Sequence, residues 1–363
     1  MSIFYVRRRI KEPSPARIIL IPVVIFSTVM LLGLFVALSL EGYSLRDLAP
    51  MIINENTLMS PAVIRYAVVT ALLSLALLVN VSGGYVNLGA EGQIAVSSIA
   101  ILIASIYDLG ITGAILLSLL FVTAWSLPPY LVKIIYGGSD VLSSFIMNFI
   151  ALFMANHIVS HVFRGDIARP RSPPITDIDL HYISGVGWPL SILNRISLES
   201  LLSLILAVFV IHYILMKTRL GFRLRLLGYS PRTASLSGVN VNLYIILNLL
   251  ISSLLITMVA LELILGSDRR VNYNEYANIG IGSVSFGLGY TSLSIALLCM
   301  GRSYSTLIYS YMIAVGYMIV FSLYGFHRLI LGTAIIGLSL LSALISELIL
   351  RYEVRLSRST GLK

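Results

Sequence analysis

The stretch Asn80-Val-Ser-Gly-Gly-Tyr-Val-Asn-Leu-Gly-Ala-Glu-Gly-Gln93 lies between two strongly apolar runs. Hydrocarbon tolerates irregular, glycine-rich backbone only where protein or a water-filled cavity covers it. An ionisable side chain inside such a break, here Glu91, is a candidate functional residue, because a charge at that depth is costly. The stretch therefore predicts a helical membrane protein with a polar region inside its bundle, and not a simple membrane anchor.

The composition places the chain among polytopic membrane proteins. Of its 363 residues, 58% are hydrophobic and 11% are charged, whereas a soluble domain carries about 25% charged residues. The net charge of +9 does not indicate nucleic-acid binding, because the basic residues cluster at the two ends and in one loop, as the positive-inside rule requires. The single cysteine, Cys299, excludes an intrachain disulfide framework and a cysteine-based metal cluster.

The hydropathy pattern predicts an all-α fold with about ten membrane-spanning helices, since each span needs about 20 apolar residues. The whole chain, 1–363, is expected to form one transmembrane domain, with 17–350 embedded and with 1–16 and 351–363 as cytoplasmic tails. Pro128-Pro129 is expected to interrupt the fourth span. The predicted spans are 18–40, 58–79, 92–107, 111–135, 141–163, 198–215, 241–265, 279–300, 304–323 and 328–350.

Three clusters of basic residues set the expected orientation. Arginines and lysines concentrate before the first span, in the loop 216–240 and after the last span. Six predicted spans separate the first two clusters and four separate the last two, so all three fall on one side, which the positive-inside rule makes cytoplasmic. The expected location is the cell membrane, with multiple spans and both termini in the cytoplasm.

A second glycine-rich break follows the first after about five spans. It contains Gly280, Gly282, Gly287 and Gly289. Breaks at corresponding positions of two halves are typical of transporters built from two repeats, which predicts two five-helix halves. The alternative is that glycine is simply common in membrane helices.

Three ordered stretches resemble one family. They are Asn87-Leu-Gly-Ala-Glu-Gly-Gln93, Gly138 to Ala151 (Gly-Ser-Asp-Val-Leu-Ser-Ser-Phe-Ile-Met-Asn-Phe-Ile-Ala), and Thr218 to Asn240 with its run Gly-Phe-Arg-Leu-Arg-Leu-Leu-Gly. Together they are similar to permease subunits of ABC importers in the branched-chain amino acid and simple-sugar group, and most of all to nucleoside-type permeases. The resemblance covers most of residues 60–265. It implies import of a small polar solute, with a nucleoside as the first candidate, a simple sugar second and a branched-chain amino acid third.

The resemblance assigns the loop 216–240 to contact with a separate ATPase. Ser230 and Pro231 are suited to the start of a short helix, and Gly238 is suited to its end, which predicts a helix over about residues 231–237. In the family this helix couples the permease to the ATPase. The alternative for the arginines is that they only set topology and contact lipid phosphates. The candidate coupling residues are Gly221, Arg223, Arg225, Gly228, Pro231, Arg232, Ala234 and Gly238.

Four polar residues are candidates for the substrate pathway: Asn87, Glu91, Gln93 and Asn148. Two interpretations of the first three stay open, because a broken helix exposes polar groups to a solute, and Glu91 is equally suited to cap a helix N-terminus. Asn148 lies on a stripe with Ser144 and Ala151, which more often indicates helix packing than a ligand site. Arg65 and Glu262 are further charges inside spans, for which pairing, snorkelling and an outer gate stay open.

The chain contains no ATP-binding motif of the G-x-x-x-x-G-K-[ST] type. It is therefore expected to be no enzyme itself, to hold no metal or cofactor, and to rely on ATP-Mg bound by a partner subunit. The resemblance implies three partners: ABC ATPase subunits, a second permease of the same or another sequence, and an extracytoplasmic solute-binding protein. Two rival functions stay open, namely a secondary transporter driven by an ion gradient and an intramembrane enzyme acting on a lipid-linked substrate.

Overall fold

The computed structural model describes residues 3–8, 15–40, 60–165, 171–184, 193, 196–266, 269–271, 287–299, 301–321 and 327–357. Within these ranges the chain forms twelve α-helices and a two-stranded ribbon. The helices are α1 (Pro15–Leu40), α2 (Pro61–Ser82), α3 (Ala90–Ile106), α4 (Gly110–Tyr136), α5 (Asp140–His157), α6 (Leu198–Lys217), α7 (Arg219–Tyr229), α8 (Pro231–Leu236), α9 (Val241–Leu265), α10 (Leu288–Leu298), α11 (Ser305–Phe321) and α12 (His327–Arg351).

Ten of these helices coincide with the ten predicted spans, so the predicted all-α membrane fold is confirmed. Five are long and apolar enough to cross a membrane: α2, α4, α5 with the π-helical turn Ile158–Val162 that extends it, α6 and α9. The apolar part is shorter in the other five, which are α1, α3, α10, α11 and α12. For the eighth predicted span, only the part from Leu288 onward lies among the described residues. The two remaining helices, α7 and α8, both lie in the loop 216–240.

The fourth span differs from the prediction at its proline pair. Helix α4 runs from Gly110 to Tyr136 and includes both Pro128 and Pro129, so the expected interruption is wrong. A membrane helix accommodates proline where neighbouring helices and hydroxyl side chains compensate for the lost backbone bonds. The helix ends at Gly137, whose φ of 62° is a left-handed conformation suited to glycine.

Helices α2 and α9 form the centre of the bundle. Of the residues in the most apolar part of each helix, 72% are buried in α2 and 56% in α9. The corresponding share in α4, α5 and α6 is 22–28%. The two helices pack on each other, and each crosses into the other half of the chain. Helix α2 packs on α10 and α11, whereas α9 packs on α3 and α4. These pairs are equivalent if each half contains five spans, and the contact pattern therefore supports the two predicted halves.

The predicted tails form a small antiparallel ribbon. Strand β1 (Ile3–Arg8) pairs with strand β2 (Tyr352–Ser357), with Ile3 opposite Ser357 and Arg8 opposite Tyr352. Below it, α1 packs against α12. The segments before the first helix and after the last one therefore lie side by side on one face, as an even number of spans requires.

Candidate functional site

The break after α2 is held by backbone hydrogen bonds. The N–H groups of Gly83 and Tyr85 both donate to the carbonyl of Asn80, at 3.1 and 2.9 Å, and Gly84 adopts a φ of 74°. Lys133 of α4 donates to the carbonyl of Gly84 and pairs with Asp140 at 2.6 Å. The chain then runs without helix to Gly89 and enters α3 at Ala90. The predicted irregular segment is therefore present and is tied to α4 and α5.

Asn87 and Gln93 bridge this break to α3 and α4. Asn87 Oδ1 accepts the N–H of Gly89 at 2.8 Å, and its Nδ2 donates to Gln93 Oε1 at 3.0 Å. Gln93 Nε2 in turn donates to Ser126 Oγ at 2.7 Å. Both amides are buried, with 1% and 5% of their surface exposed. These two predicted pathway residues therefore bond to each other.

Asn148 connects α5 to the first turns of α3 and α10. Its Oδ1 accepts the N–H of Gly92, and its Nδ2 donates to the hydroxyl of Tyr290 at 2.6 Å. A Cβ on Gly92 would lie 2.8 Å from the Cβ of Ala151, so α3 and α5 pack with little space between them. Ser144, on the same stripe, accepts the N–H of Leu88 at 3.1 Å. The predicted polar stripe of α5 is therefore a packing face that also supplies hydrogen bonds.

Glu91 lies where the two halves of the chain meet. Its side chain has 1% of its surface exposed, and Oε1 accepts the N–H of Gly289 at 2.5 Å. Glu91 stands in the first turn of α3, and Gly289 stands in the first turn of α10. A Cβ on Gly289 would lie 3.0 Å from Glu91 N, so the two helix N-termini come close together. The carboxylate of Glu91 therefore lies near the N-termini of both α3 and α10, where negative charge is favourable.

The four predicted pathway residues are therefore brought together at the meeting point of α3, α5 and α10. Each is buried and hydrogen-bonded to other residues. The other part of the second break, Gly280 and Gly282, lies outside the described residues. Among the described residues, no group of three or more histidine, cysteine, aspartate or glutamate side chains is placed to hold a metal ion.

The loop 216–240 forms the helix pair α7–α8. Ser230 accepts the N–H of Thr233 at 3.2 Å, Pro231 begins α8, and Gly238 follows its end with a φ of 76°. The predicted short helix is therefore confirmed, over Pro231–Leu236. Sequence reasoning missed α7, although Thr218 caps it by accepting the N–H of Gly221 at 3.2 Å.

Small residues fix the helix pair against the spans. Ala234 is fully buried in an apolar cluster with Leu224 and Leu227. A Cβ on Gly221 would lie 2.1 Å from the carbonyl oxygen of Ile214. A Cβ on Gly228 would lie 2.4 Å from the carbonyl oxygen of Ser82, and one on Gly84 would lie 2.7 Å from Gly228 Cα. The backbone of α7 therefore rests directly on the break after α2.

The predicted coupling arginines lie on the surface of this pair. Arg223 donates to the hydroxyl of Tyr244 at 2.9 Å and stacks over its ring at 5.8 Å. Arg225 Nη1 lies 4.0 Å from Met216 Sδ, and Arg232 is exposed together with Pro231. Within the described ranges, none of the three arginines forms an ion pair with a carboxylate of this chain.

The charges inside α2 and α9 form a pair at the opposite end of these helices. Arg65 Nε lies 3.1 Å from Glu262 Oε1, and Arg65 Nη2 donates to the carbonyl of Glu262 at 3.0 Å. The hydroxyls of Ser197 and Ser200 both donate to Glu262 Oε2. Glu262 is buried with 1% exposure, so its charge is compensated from several directions. Of the three alternatives left open for these charges, pairing is the one observed.

The segment 171–184 covers this end. The N–H of Ser172 donates to the carbonyl of Val271 at 3.0 Å, and that of Ile175 donates to the carbonyl of Arg269 at 2.8 Å. Arg269 also pairs with Asp179 at 2.6 Å. Burial, followed by the charge of Glu262, raises the pKa of Tyr182 to about 12. The segment is therefore attached to the chain just after α9.

Comparison with known proteins gives one family match. The family model described as "Branched-chain amino acid transport system / permease component" matches residues 61–344. The guanosine ABC transporter permease protein NupP of Bacillus subtilis is 27% identical over 231 residues, which is 59% of this chain and 60% of the relative. The nucleoside ABC transporter permease protein NupB of Lactococcus lactis is 23% identical over 235 residues, 62% of each chain.

A third relative carries a different solute in its name. The glucose ABC transporter permease protein TsgB13 of Haloferax volcanii is 23% identical over 243 residues, 64% of this chain and 61% of the relative. The chain thus spans about three fifths of the length of these curated relatives. No solved structure matches it significantly.

Proposed function

The chain belongs to the family of permease components of branched-chain amino acid transport systems, and on this premise we propose that it is the membrane-spanning permease subunit of an ATP-driven ABC importer for a nucleoside. Its lipid-embedded helices form one half of the solute path. A second permease, identical or paralogous, forms the other half. A solute-binding protein delivers the nucleoside on the outer side, and separate ATPase subunits supply the energy with their own ATP-Mg.

The contact between Gly228 and Gly84 carries the proposal. It joins a helix pair outside the spans to the break that leads into α3. From there the chain continues to Glu91, which bonds to Gly289 of the other half. A displacement of α7 and α8 therefore reaches the meeting point of the two halves through a few residues of backbone. Such a connection is what a permease needs to respond to ATP bound in another subunit, because switching access requires a two-state element that the distant site can bias.

The exposed surface of α7–α8 supports an ATPase as the partner. Tyr229 and Leu236 expose 86% and 84% of their surface, although both are large and apolar. Arg223 and Arg232 lie on the same pair and are exposed. Apolar anchors beside arginine are typical of protein interfaces. We assign α8 and the end of α7 as the docking element, with Gly221, Ala234 and Gly238 shaping it, Arg225 and Arg232 pairing with acidic groups of the partner, and Pro231 starting the helix.

The names of two relatives favour a nucleoside over the other solutes. The Bacillus subtilis protein is named for guanosine and the Lactococcus lactis protein for nucleosides, whereas the Haloferax volcanii protein is named for glucose. Guanosine is therefore the first solute to test and glucose the second. The buried amides Asn87, Gln93 and Asn148, with Glu91, are proposed to line the path in the state in which α3, α5 and α10 separate.

We assign the chain to the cell membrane with both termini in the cytoplasm. The ribbon β1–β2 places the two end segments on one face. The basic residues of both end segments and of α7–α8 favour the cytoplasmic side for that face. The Arg65–Glu262 pair then lies near the outer surface.

The test is uptake of radiolabelled guanosine, glucose and leucine by cells from which the chain has been deleted and then restored. We expect guanosine uptake to disappear with the chain and to return with it, to stop when ATP is depleted, and to survive an uncoupler. Loss of glucose uptake alone would replace the nucleoside by a sugar. Uptake that collapses with the uncoupler but survives ATP depletion would favour the ion-driven rival instead.

A further inference from the structure

A cavity of about 200 Å³ lies between the break after α2, the end of α4, the helix pair α7–α8 and α9. Its lining includes Gly84, Tyr85, Tyr130, Gly228 and Asn248. Pockets that enclose a drug-sized ligand measure about 300–1,000 Å³. This cavity therefore accepts a small rigid group, such as one heteroaromatic ring system, better than a whole large solute.

One side of the cavity is aromatic. The rings of Tyr85 and Tyr130 stack with centroids 3.9 Å apart and an interplanar angle of 19°. Both are almost completely buried. A planar aromatic ring packs favourably against such a pair by offset or edge-to-face contact, and an aliphatic solute gains no such contact.

The charge near the cavity is already neutralised. Lys133 lines it, with Nζ 5.4 Å from the centroid of the Tyr85 ring. The same Nζ pairs with Asp140 at 2.6 Å and donates to the carbonyl of Gly84. Because the lysine is engaged, the site does not favour a phosphate or another anion. A neutral planar group, as in a nucleoside and not a nucleotide, fits it better.

Asn248 supplies an unused hydrogen-bond acceptor. It lines the cavity with 1% of its surface exposed, and its Oδ1 has no hydrogen-bond partner among the described residues. Its Nδ2 donates to the carbonyl of Asn80 at 3.5 Å, the outer limit for such a bond. Asn80 Nδ2 likewise has no partner within the described chain, but Asn80 does not line the cavity. A buried unpaired acceptor is costly, so Asn248 is suited to a ligand that offers an N–H donor.

We propose that this cavity is a binding subsite for the base of a nucleoside, with Asn248 as the residue that recognises its N–H edge and with Tyr85 and Tyr130 as the packing surface. Asparagine amides pair with purine edges in nucleic-acid recognition by the same donor and acceptor chemistry. This inference rests on the proposed function and names the place where the solute is held beside α7. A base in this cavity contacts the seam between Gly84 and Gly228, so its binding is coupled to the position of the helix pair.

The test uses the purified full-length chain and saturation-transfer difference NMR with guanosine as the probe, and with glucose and leucine as comparison probes. We expect a guanosine signal that is strongest on the base protons and no saturable signal from the other two. Asn248→Leu should weaken guanosine binding at least about tenfold, the size expected for one lost hydrogen bond to a buried group. Its unfolding temperature should stay the same or rise, because an unpaired buried acceptor is removed.

Ser253→Ala is the matched control. Ser253 is buried on the same helix and its Oγ also has no partner within the described residues, but it does not line the cavity. Guanosine binding should be unchanged in this variant. Ile245→Phe, which fills the cavity from α9, should abolish the base signal independently of the amide.

The inference is overturned if guanosine gives no saturable signal up to millimolar concentration, if Asn248→Leu and Ile245→Phe bind it as the wild type does, or if glucose occupies the site with the same dependence on Asn248. These outcomes are separate from the uptake test. Guanosine uptake that depends on the chain, combined with binding unchanged in both variants, would remove the subsite and leave the proposed function in place. Binding that requires Asn248, combined with no nucleoside uptake, would contradict the proposed function and leave the subsite in place.

Discussion

Helices α2 and α9 run antiparallel, and their two ends are built in opposite ways. At one end Arg65 and Glu262 form an ion pair, and two serine hydroxyls complete the shell of the carboxylate. At the other end Asn248 Nδ2 donates to the backbone carbonyl of Asn80 at 3.5 Å beside a cavity, and each of the two side chains keeps one unpaired atom within the described residues. An ion pair holds the first end together, whereas the second end has a cavity and unpaired hydrogen-bonding atoms within the described residues.

The difference indicates which end is built to move. A buried carboxylate that accepts three hydrogen bonds resists separation, because each lost partner leaves its charge less compensated. The amide end rests on backbone contact with α7 and has room for rearrangement. The described conformation is therefore closed at the charged end and loosely packed at the end where α7 and α8 lie.

The largest effect is expected at the charged end. Arg65→Met leaves Glu262 buried without its counter-ion and should lower the free energy of unfolding by about 3–5 kcal/mol. The double variant Arg65→Met/Glu262→Met should recover most of that loss, because a buried pair replaced by apolar residues is often nearly neutral. Denaturant titration in detergent, followed by tryptophan fluorescence, measures both.

The exposed pair between the segment 171–184 and Arg269 is the control for this variant. Asp179 exposes 75% of its side chain in its pair with Arg269, so Asp179→Asn should cost less than about 1 kcal/mol. If Asp179→Asn destabilised the protein as much as Arg65→Met, burial would not be what distinguishes the charged end.

The next effect is expected at the seam between α7 and the break. Gly228→Ala places a Cβ 2.4 Å from the carbonyl oxygen of Ser82, which forces a backbone shift costing about 1–3 kcal/mol. We expect solute uptake to fall while membrane insertion stays normal, and ATP hydrolysis to continue without transport. The measurements are uptake and ATPase activity of the assembled transporter.

Gly337→Ala is the same change at an open helical position, where a Cβ would meet nothing within 4 Å. It should leave uptake and stability unchanged. Normal uptake in Gly228→Ala, or an equal loss in both variants, would contradict the role of the seam.

A smaller effect is expected midway between the two ends, at Glu91. Glu91→Gln keeps an acceptor for the N–H of Gly289 but removes the charge that faces two helix N-termini, at a cost of about 1 kcal/mol. Because ATP and not a proton gradient is proposed to drive transport, uptake should persist in this variant. Complete loss of uptake with normal folding would favour the ion-driven rival.

The smallest effect is expected in the segment 171–184 near the charged end. Asp177 is exposed and accepts hydrogen bonds from Thr176 and Ser105, at 2.8 and 3.0 Å, which lower its pKa. A carboxylate with a lowered folded-state pKa stabilises the protein above its unfolded pKa and loses that contribution as the pH falls. Asp177→Asn should therefore lower the unfolding temperature slightly at neutral pH, and this difference should shrink as the pH falls below about 4, the usual pKa of an aspartate. A difference that does not shrink with falling pH would rule out this titration as its cause.

Local signals in the sequence predicted the helices well. Apolar length located a helix in each of the ten predicted spans, the eighth described only from Leu288, and the Ser230-Pro231 start and the turn at Gly238 located α8. Helix α7 was missed because only residues 231–237 of the loop 216–240 were expected to be helical. Leu220, Leu224 and Leu227 repeat there at helical spacing, and this stripe was the available signal.

Contacts between distant segments were beyond local reasoning. Arg65 and Glu262 are 197 positions apart, and nothing in either neighbourhood fixes their separation in space. The same holds for the bond from Gly289 to Glu91, although the repeated glycine breaks indicated two related halves. The four pathway candidates lie close together in the structure, and local sequence reasoning could not reveal the hydrogen bonds that hold them there in this conformation. Asn248 has no distinguishing local context and emerges only from its unpaired oxygen.

The ribbon of β1 and β2 has a practical consequence for engineering. Because Ile3 lies opposite Ser357, with Cα atoms of paired antiparallel strands about 4.5–5.5 Å apart, a linker of a few residues suffices to join these positions. New termini opened in a connection at the opposite end of the bundle from the ribbon would then give a circular permutant with every helix in its original place. A fluorescent reporter fused at those new ends would leave both the ribbon and the helix pair α7–α8 unmodified.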